Sequence, residues 1–221
     1  MTADGRGSLR GAGERGPPYI AGMSTQPPNS DSSPLTGVTE RIESAEALDG
    51  LAGRIGHAAD ALVSDPDRAS LLRSGPLGHA LHPVMTDIPL GAWMSAAVLD
   101  WTGGPAMRPA TQRLVGLGNA AYLPTAITGL AEFAGLDARS KRVASVHAVA
   151  NNIALGLNVA SWFARRSDRH GLGRVLTAGA MTVGGFGAFL GGHLAIGMKA
   201  GSHDPRIARS SGHAPGEGIP V

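Results

Sequence analysis

The sequence predicts an all-α integral membrane protein, a four-helix bundle with an N-terminal amphipathic helix and disordered termini. Three observations point there. Four apolar stretches, Val84 to Trp101, Leu114 to Ala131, Val143 to Ala164 and Val175 to Met198, approach or exceed the ~18 to 20 residues that cross a hydrocarbon core at ~1.5 Å rise. Charged residues make up 16% of the 221, against ~25% in a soluble domain, so the outer faces of a soluble helical protein would lack the charges they need. The 33 glycines, many in runs such as GGFGAFLGG, suit helices that approach closely in lipid, where van der Waals packing replaces the hydrophobic drive.

Residues 1–38 are dominated by Gly, Pro, Ser and Thr and read as a disordered arm, too poor in apolar side chains to offset the entropy of ordering. The arm has no apolar core of signal-peptide length, and Met23 offers an alternative start. Residues 39–70 read as an amphipathic helix and linker. Leu48, Leu51, Ile55, Ala59 and Leu62 recur every three to four positions, with Glu43, Glu46, Asp49, Arg54 and Asp60 mostly elsewhere on the wheel. The pattern suits a helix on the membrane surface and one packed on the rest of the protein equally well. Residues 71–200 carry the four spans, the first weakened by Asp87 and Pro89, and residues 201–221 form a disordered polar tail.

Trp101 and Trp162 fall near segment ends, as interfacial anchors do. Eight Lys/Arg flank the segments on the N-terminal side and six on the other. This bias gives a multi-pass protein of the cell membrane with both termini in the cytoplasm. A net charge of +2 without a basic face interleaved with aromatics excludes a nucleic-acid binder. The absence of Cys excludes disulfides, a thiolate-held iron–sulfur cluster and a Cys nucleophile within this sequence, so any metal sits on His, carboxylate or Met.

An up-and-down arrangement collects the histidines at one leaflet. His79 and His82 precede the first span, with Asp87 just inside it; Glu132 ends the second; His147 lies one turn into the third and His193 one turn from the end of the fourth. Counting inward from Arg142 and Lys199 puts His147 and His193 at a matching depth of ~7 to 9 Å. His57, His170, His203 and His213 read as solvated. On the third span His147, Asn151, Ala154, Asn158 and Ser161 share one sector, which in lipid must look inward. Thr125, Thr128 and Glu132 make a comparable stripe on the second. On the fourth, the face of His193 carries Phe189, Phe186, Thr182 and Gly179 and reads as inward-facing.

Imidazoles from separate membrane helices are a usual means of holding haem or another metal. The sharpest expectation is haem b with His147 and His193 as axial ligands, in a membrane-embedded redox or electron-transfer subunit. His79 and His82 with Asp87 make an alternative two-His, one-carboxylate metal site. A third reading needs no metal: a transport or assembly component in which the His/Asp groups relay protons or serve packing and hydrogen bonding. In that case Asp87 is a helix-start carboxylate favoured by the dipole. Besides the lipid membrane, the redox reading admits a quinone as partner, and the chain admits self-association as a homo-oligomer.

The run PLGHALHPVMTDIPLGAW, followed by LPTAITGLAE, VHAVANNIAL and GAFLGGHL, resembles a bacterial family of predicted four-helix membrane proteins, the domain of unknown function 2231. The likeness spans roughly residues 71–198. It places His79, His82, Pro83, Thr86, Asp87, Pro89, Gly91, Ala92 and Trp93 on the family's GHPLHPxxTDxPxGAW pattern, with His147 and His193 in the later elements. Ala80 stands where the family often has Pro, and GLAEF departs from an acidic, Trp-containing version, which leaves Glu132 without an inherited role. The resemblance implies a membrane fold and, through relatives joined to a Rieske-type domain, a redox neighbourhood.

Overall fold

The computed structural model describes residues 34–73 and 79–200, and every element among them is helical. The arm before residue 34, Met23 included, and the tail after residue 200, with His203 and His213, lie outside the described residues. Seven α-helices follow in order among those described: α1 (Pro34–Ser44), α2 (Asp49–Leu62), α3 (Pro66–Arg73), α4 (Leu81–Thr102), α5 (Arg108–Phe133), α6 (Ala138–Arg166) and α7 (His170–Gly192). A π-helical turn, His193–Gly197, continues α7.

The N-terminal region departs from the single helix its periodicity predicts. α1 begins at Pro34, inside the stretch expected to be disordered, and the chain breaks at Ala45 (ψ 85°) before a short 3-10 turn leads into α2. Docking explains both. α1 packs on α6, and α2 on the ends of α5 and α6, so tertiary contact orders segments whose own propensity is modest. α2 buries Ala52, Gly56 and Ala59 rather than its leucines. Ala52 and Ala59 pack with Phe133 and Ala144, while Leu51 is left 36% exposed, because small residues permit the closer approach.

Three helical runs are long and apolar enough to cross a membrane: Pro105–Phe133, Ala138–Arg166 and His170–Gly197, of 29, 29 and 28 residues. At ~1.5 Å per residue each measures roughly 43 Å, more than the hydrocarbon core requires. The expected count was four. α4 falls short because the residues of its motif, His82, Pro83, Thr86, Asp87 and Pro89, together with Asp100, dilute its apolar content. It nevertheless lies along α5 and touches α7, while α6 lies along α7 and meets α5. Gly104, at φ 61°, allows the sharp turn between α4 and α5. Asp137 caps α6 by accepting from the Ser140 amide.

Outside and inside are inverted relative to a water-soluble protein. Val84, Ile88, Val98, Leu117, Leu123, Ile127, Val149, Ile153 and Phe163 are exposed, whereas Thr125, Thr128, Ser145, Asn158, Ser161 and Thr177 are buried. An apolar exterior around small and polar contacts is what lipid demands. The third-span stripe faces inward as expected, with Ala154, Asn158 and Ser161 fully or nearly buried. The expectation for the fourth span is corrected. Thr182 and Phe186 face outward, and α7 turns Gly173, Thr177, Ala180, Gly187 and Leu190 inward. Glycine and alanine let α6 and α7 meet closely, and the phenylalanine on the other side suits hydrocarbon.

Cross-helix hydrogen bonds complete the assembly. Pro89 cannot donate to the carbonyl four residues earlier, that of Met85. The Thr125 hydroxyl of α5 stands 2.9 Å from that carbonyl, and 2.9 Å from the Ala121 carbonyl of its own helix, so its one proton is shared between them. At the far end Arg165, 2% exposed, makes paired bonds of 2.8 and 2.6 Å to Asp100. Its Nε donates to Ser161 Oγ at 3.1 Å, and Ser161 donates to the Gly173 carbonyl. The Thr177 hydroxyl completes the network against Ser161 and Arg165. In the sequence both residues read as charges near helix ends, and nothing local signals that they pair.

Losing one member of this pair strands a buried charge. Arg165→Met or Asp100→Leu alone is expected to cost about 3 to 5 kcal/mol, and the double substitution to recover most of that loss. Thermal unfolding of the detergent-purified variants measures it.

Candidate functional site

The histidine end is built where the start of α4, the end of α5, the start of α6 and the end of α7 come together, at one end of the molecule. His82, in the first turn of α4, aims Nδ1 at the Thr125 carbonyl (3.0 Å) and Thr128 Oγ1 (3.2 Å). A carbonyl only accepts, so Nδ1 carries a proton, and in the neutral ring Nε2 is then bare. His147 repeats the arrangement, with Nδ1 donating to the Gly187 carbonyl of α7 at 2.7 Å. The Asn151 amide nitrogen lies 3.0 Å from His147 Nε2 and 3.4 Å from Nδ1. Near-equal distances to both nitrogens put the amide over the ring face, off the in-plane lone pair of Nε2.

Two glycines make room for these rings. A Cβ at Gly129 would lie 2.7 Å from His82 Cε1, and one at Gly191 would lie 2.9 Å from His147 Cε1. Both imidazoles are thus seated against the backbone of the neighbouring helix.

The structure pairs the histidines differently from the sequence reading. His193 does not join His147 at a matching depth. It sits a turn further out, at the start of the π-helical turn, and its Nε2 is 2.7 Å from Glu43 Oε1 of α1. Glu43 also binds Arg139 at 2.6 Å, and its main-chain carbonyl accepts from Arg142 at 2.9 Å. Glu43 is 150 positions from His193, and nothing local in the sequence signals the contact. The trio His79, His82 and Asp87 is not assembled either. His79 and Asp87 are exposed while His82 turns inward, and no three His, Cys, Asp or Glu side chains among the described residues are placed to hold a metal ion. The helical spacing of α4 separates them, since Asp87 shares the outer face with Val84 and Ile88. His57 is exposed, as expected.

The arrangement defines a multi-pass helical membrane protein with two imidazoles enclosed near one end. The chain belongs to a family described as predicted membrane protein, DUF2231, whose sequence model matches residues 78–204. The helices α1 to α3, which supply Glu43 and Asp49, precede the matched region. No curated protein and no solved structure matches the chain.

The N-terminal layer is tied down by carboxylates. Arg142 grips Asp49 with bonds of 2.7 and 2.9 Å, and this hydrogen-bonded guanidinium holds the Asp49 carboxyl below its usual value. Asp137 is lowered chiefly by the Ser140 amide. For a depressed carboxylate, the stabilisation is complete above the unfolded pKa and disappears as the pH falls through the folded one. The layer is therefore expected to stay docked at neutral pH and to loosen only as acidification passes the ordinary aspartate value of ~3.9. Hydrogen exchange of α1 and α2 against pH reads the release, and Asp49→Asn should remove the Asp49 part of the dependence.

Proposed function

We propose that this chain is a four-helix membrane redox protein that carries haem b, with His82 and His147 as its protein ligands. The observation that supports the reading is the shared state of the two rings. Each spends its Nδ1 proton on a main-chain carbonyl of a neighbouring helix and leaves Nε2 bare. Histidines that ligate a metal are fixed through the other nitrogen in this way. The donor set suits haem better than an isolated ion. The macrocycle brings four nitrogens and asks one or two ligands of the protein, whereas a protein-held zinc or non-haem iron site takes three or more.

Bound haem would supply one-electron chemistry. The chain's own part is to orient the imidazoles through Thr125, Thr128 and Gly187 and to exclude water with the close α6 and α7 contact. Glu43 replaces His147 as the partner of His193, so His193 acts in this reading as a tether for α1. A Rieske-type protein or quinone as the exchange partner is part of the same proposal.

A second reading, a transport or assembly component with a proton-relaying interior, draws on α6. Its inner face runs from His147 through Asn151, Asn158 and Ser161 to Arg165, and Asn158 is 0% exposed with neither amide atom hydrogen-bonded. The two readings part on an optical spectrum. Protein purified from cells given iron and haem precursor is expected to show a Soret band that shifts on reduction. His82→Ala and His147→Ala are expected to abolish low-spin ligation and His193→Ala to preserve it. A colourless, metal-free preparation overturns the haem reading and favours the second.

A further inference from the structure

The end of the molecule opposite the histidines holds a cavity of about 240 Å³ whose lining includes Asp100, Arg108, Arg165, His170, Gly171 and Arg174. That is many times the ~10–15 Å³ a single water needs. Three guanidiniums face one carboxylate there. Asp100 is committed to Arg165 through both oxygens, so the lining leaves Arg108 and Arg174 without a compensating negative charge.

Three further features suit an anion. His170 Nδ1 is buried with no hydrogen-bond partner, while its Nε2 lies 3.5 Å from Asp168, a carboxylate 99% exposed to solvent. α7 starts at His170, so its first amides have no intrahelical acceptor and the dipole there favours negative charge. The Arg174 guanidinium lies 5.4 Å over the ring of Trp101, which is 71% exposed, and Arg166 lies 5.0 Å over Trp162. Tryptophan beside arginine at the ends of membrane helices marks headgroup depth, where an uncompensated basic pocket meets the phosphate groups of the lipids.

We infer that this cavity is a phosphate-binding site at the membrane surface, in which Arg108, Arg174 and His170 hold the anionic oxygens and the Asp100–Arg165 pair forms the floor. The ligand class is a phosphate group, carried by an anionic phospholipid or by a soluble phosphate compound. The site uses no residue of the histidine end and stands whether or not haem binds.

The test titrates the full chain, in neutral detergent, with dioleoylphosphatidylglycerol, dioleoylphosphatidylcholine or inorganic phosphate and follows the thermal unfolding midpoint. Phosphatidylglycerol is expected to raise the midpoint and phosphatidylcholine not to. Arg108→Gln and Arg174→Gln, both at exposed positions, should each weaken the titration about tenfold, and Arg113→Gln, exposed outside the cavity, should leave it unchanged. Reading the titration midpoint separates loss of the site from a change in the protein's own stability. Stabilisation by inorganic phosphate alone, with the same response of the variants, keeps the site and assigns a soluble ligand. Equal effects of the two lipids, no effect of any anion, or variants that titrate like the parent overturn the inference.

Discussion

Hydrocarbon offers no water to a polar group, so a helix that turns polar groups toward the interior of this protein gains from partners on its neighbours. That constraint explains features that otherwise look unrelated. Pro89 takes a donor from Met85, and Thr125 shares one with it. The Thr125 and Gly187 carbonyls bind His82 and His147, and Arg165 is met by Asp100, Ser161 and Thr177. Each bond also crosses from one helix to another or closes a network that does. The polar interior therefore fixes register and rotation of the long helices, a task that apolar contacts perform poorly when the surrounding lipid is equally apolar.

What the sequence displayed and what it hid follow from the same chemistry. Span length is local and cumulative, so α5, α6 and α7 were legible as apolar stretches. The inward sector of α6 was legible too, because His147, Asn151, Asn158 and Ser161 cannot face lipid. α7 was misread since its phenylalanines look like core to an eye trained on water, whereas its glycines are the true contact surface. The Asp100–Arg165 pair was hidden because each residue sits near a helix end, where a charge needs no explanation. His193 was misassigned for a different reason: its partner Glu43 lies in a segment whose docking depends on tertiary contact rather than periodicity.

The two ends differ in the kind of polar group they enclose. One buries neutral imidazoles whose protons are committed to carbonyls; the other buries an ion pair ringed by further arginine. α6 links them, since His147 and Arg165 lie 18 positions apart on it, roughly 27 Å at helical rise. Asn158 falls between, fully buried. Such a helix positions both ends at once, so a change in its rotation would be felt by His147 against Gly187 and by Arg165 against Asp100 together.

The layer formed by α1 and α2 adds a constraint at the histidine end alone. Glu43 reaches His193 and Arg139, Asp49 reaches Arg142, and α2 lies on Phe133 and Ala144. These contacts fall at the end of α5, the start of α6 and the end of α7, on the same end of the molecule as the imidazoles. Its attachment is largely ionic and only partly wet, since Glu43 is buried while Arg139 and Asp49 face solvent. Charge pairs of this kind are individually weak when exposed. Two of them, with the Glu43–His193 hydrogen bond beside them and Ala52 and Ala59 packed beneath, give a layer that holds by multiplicity.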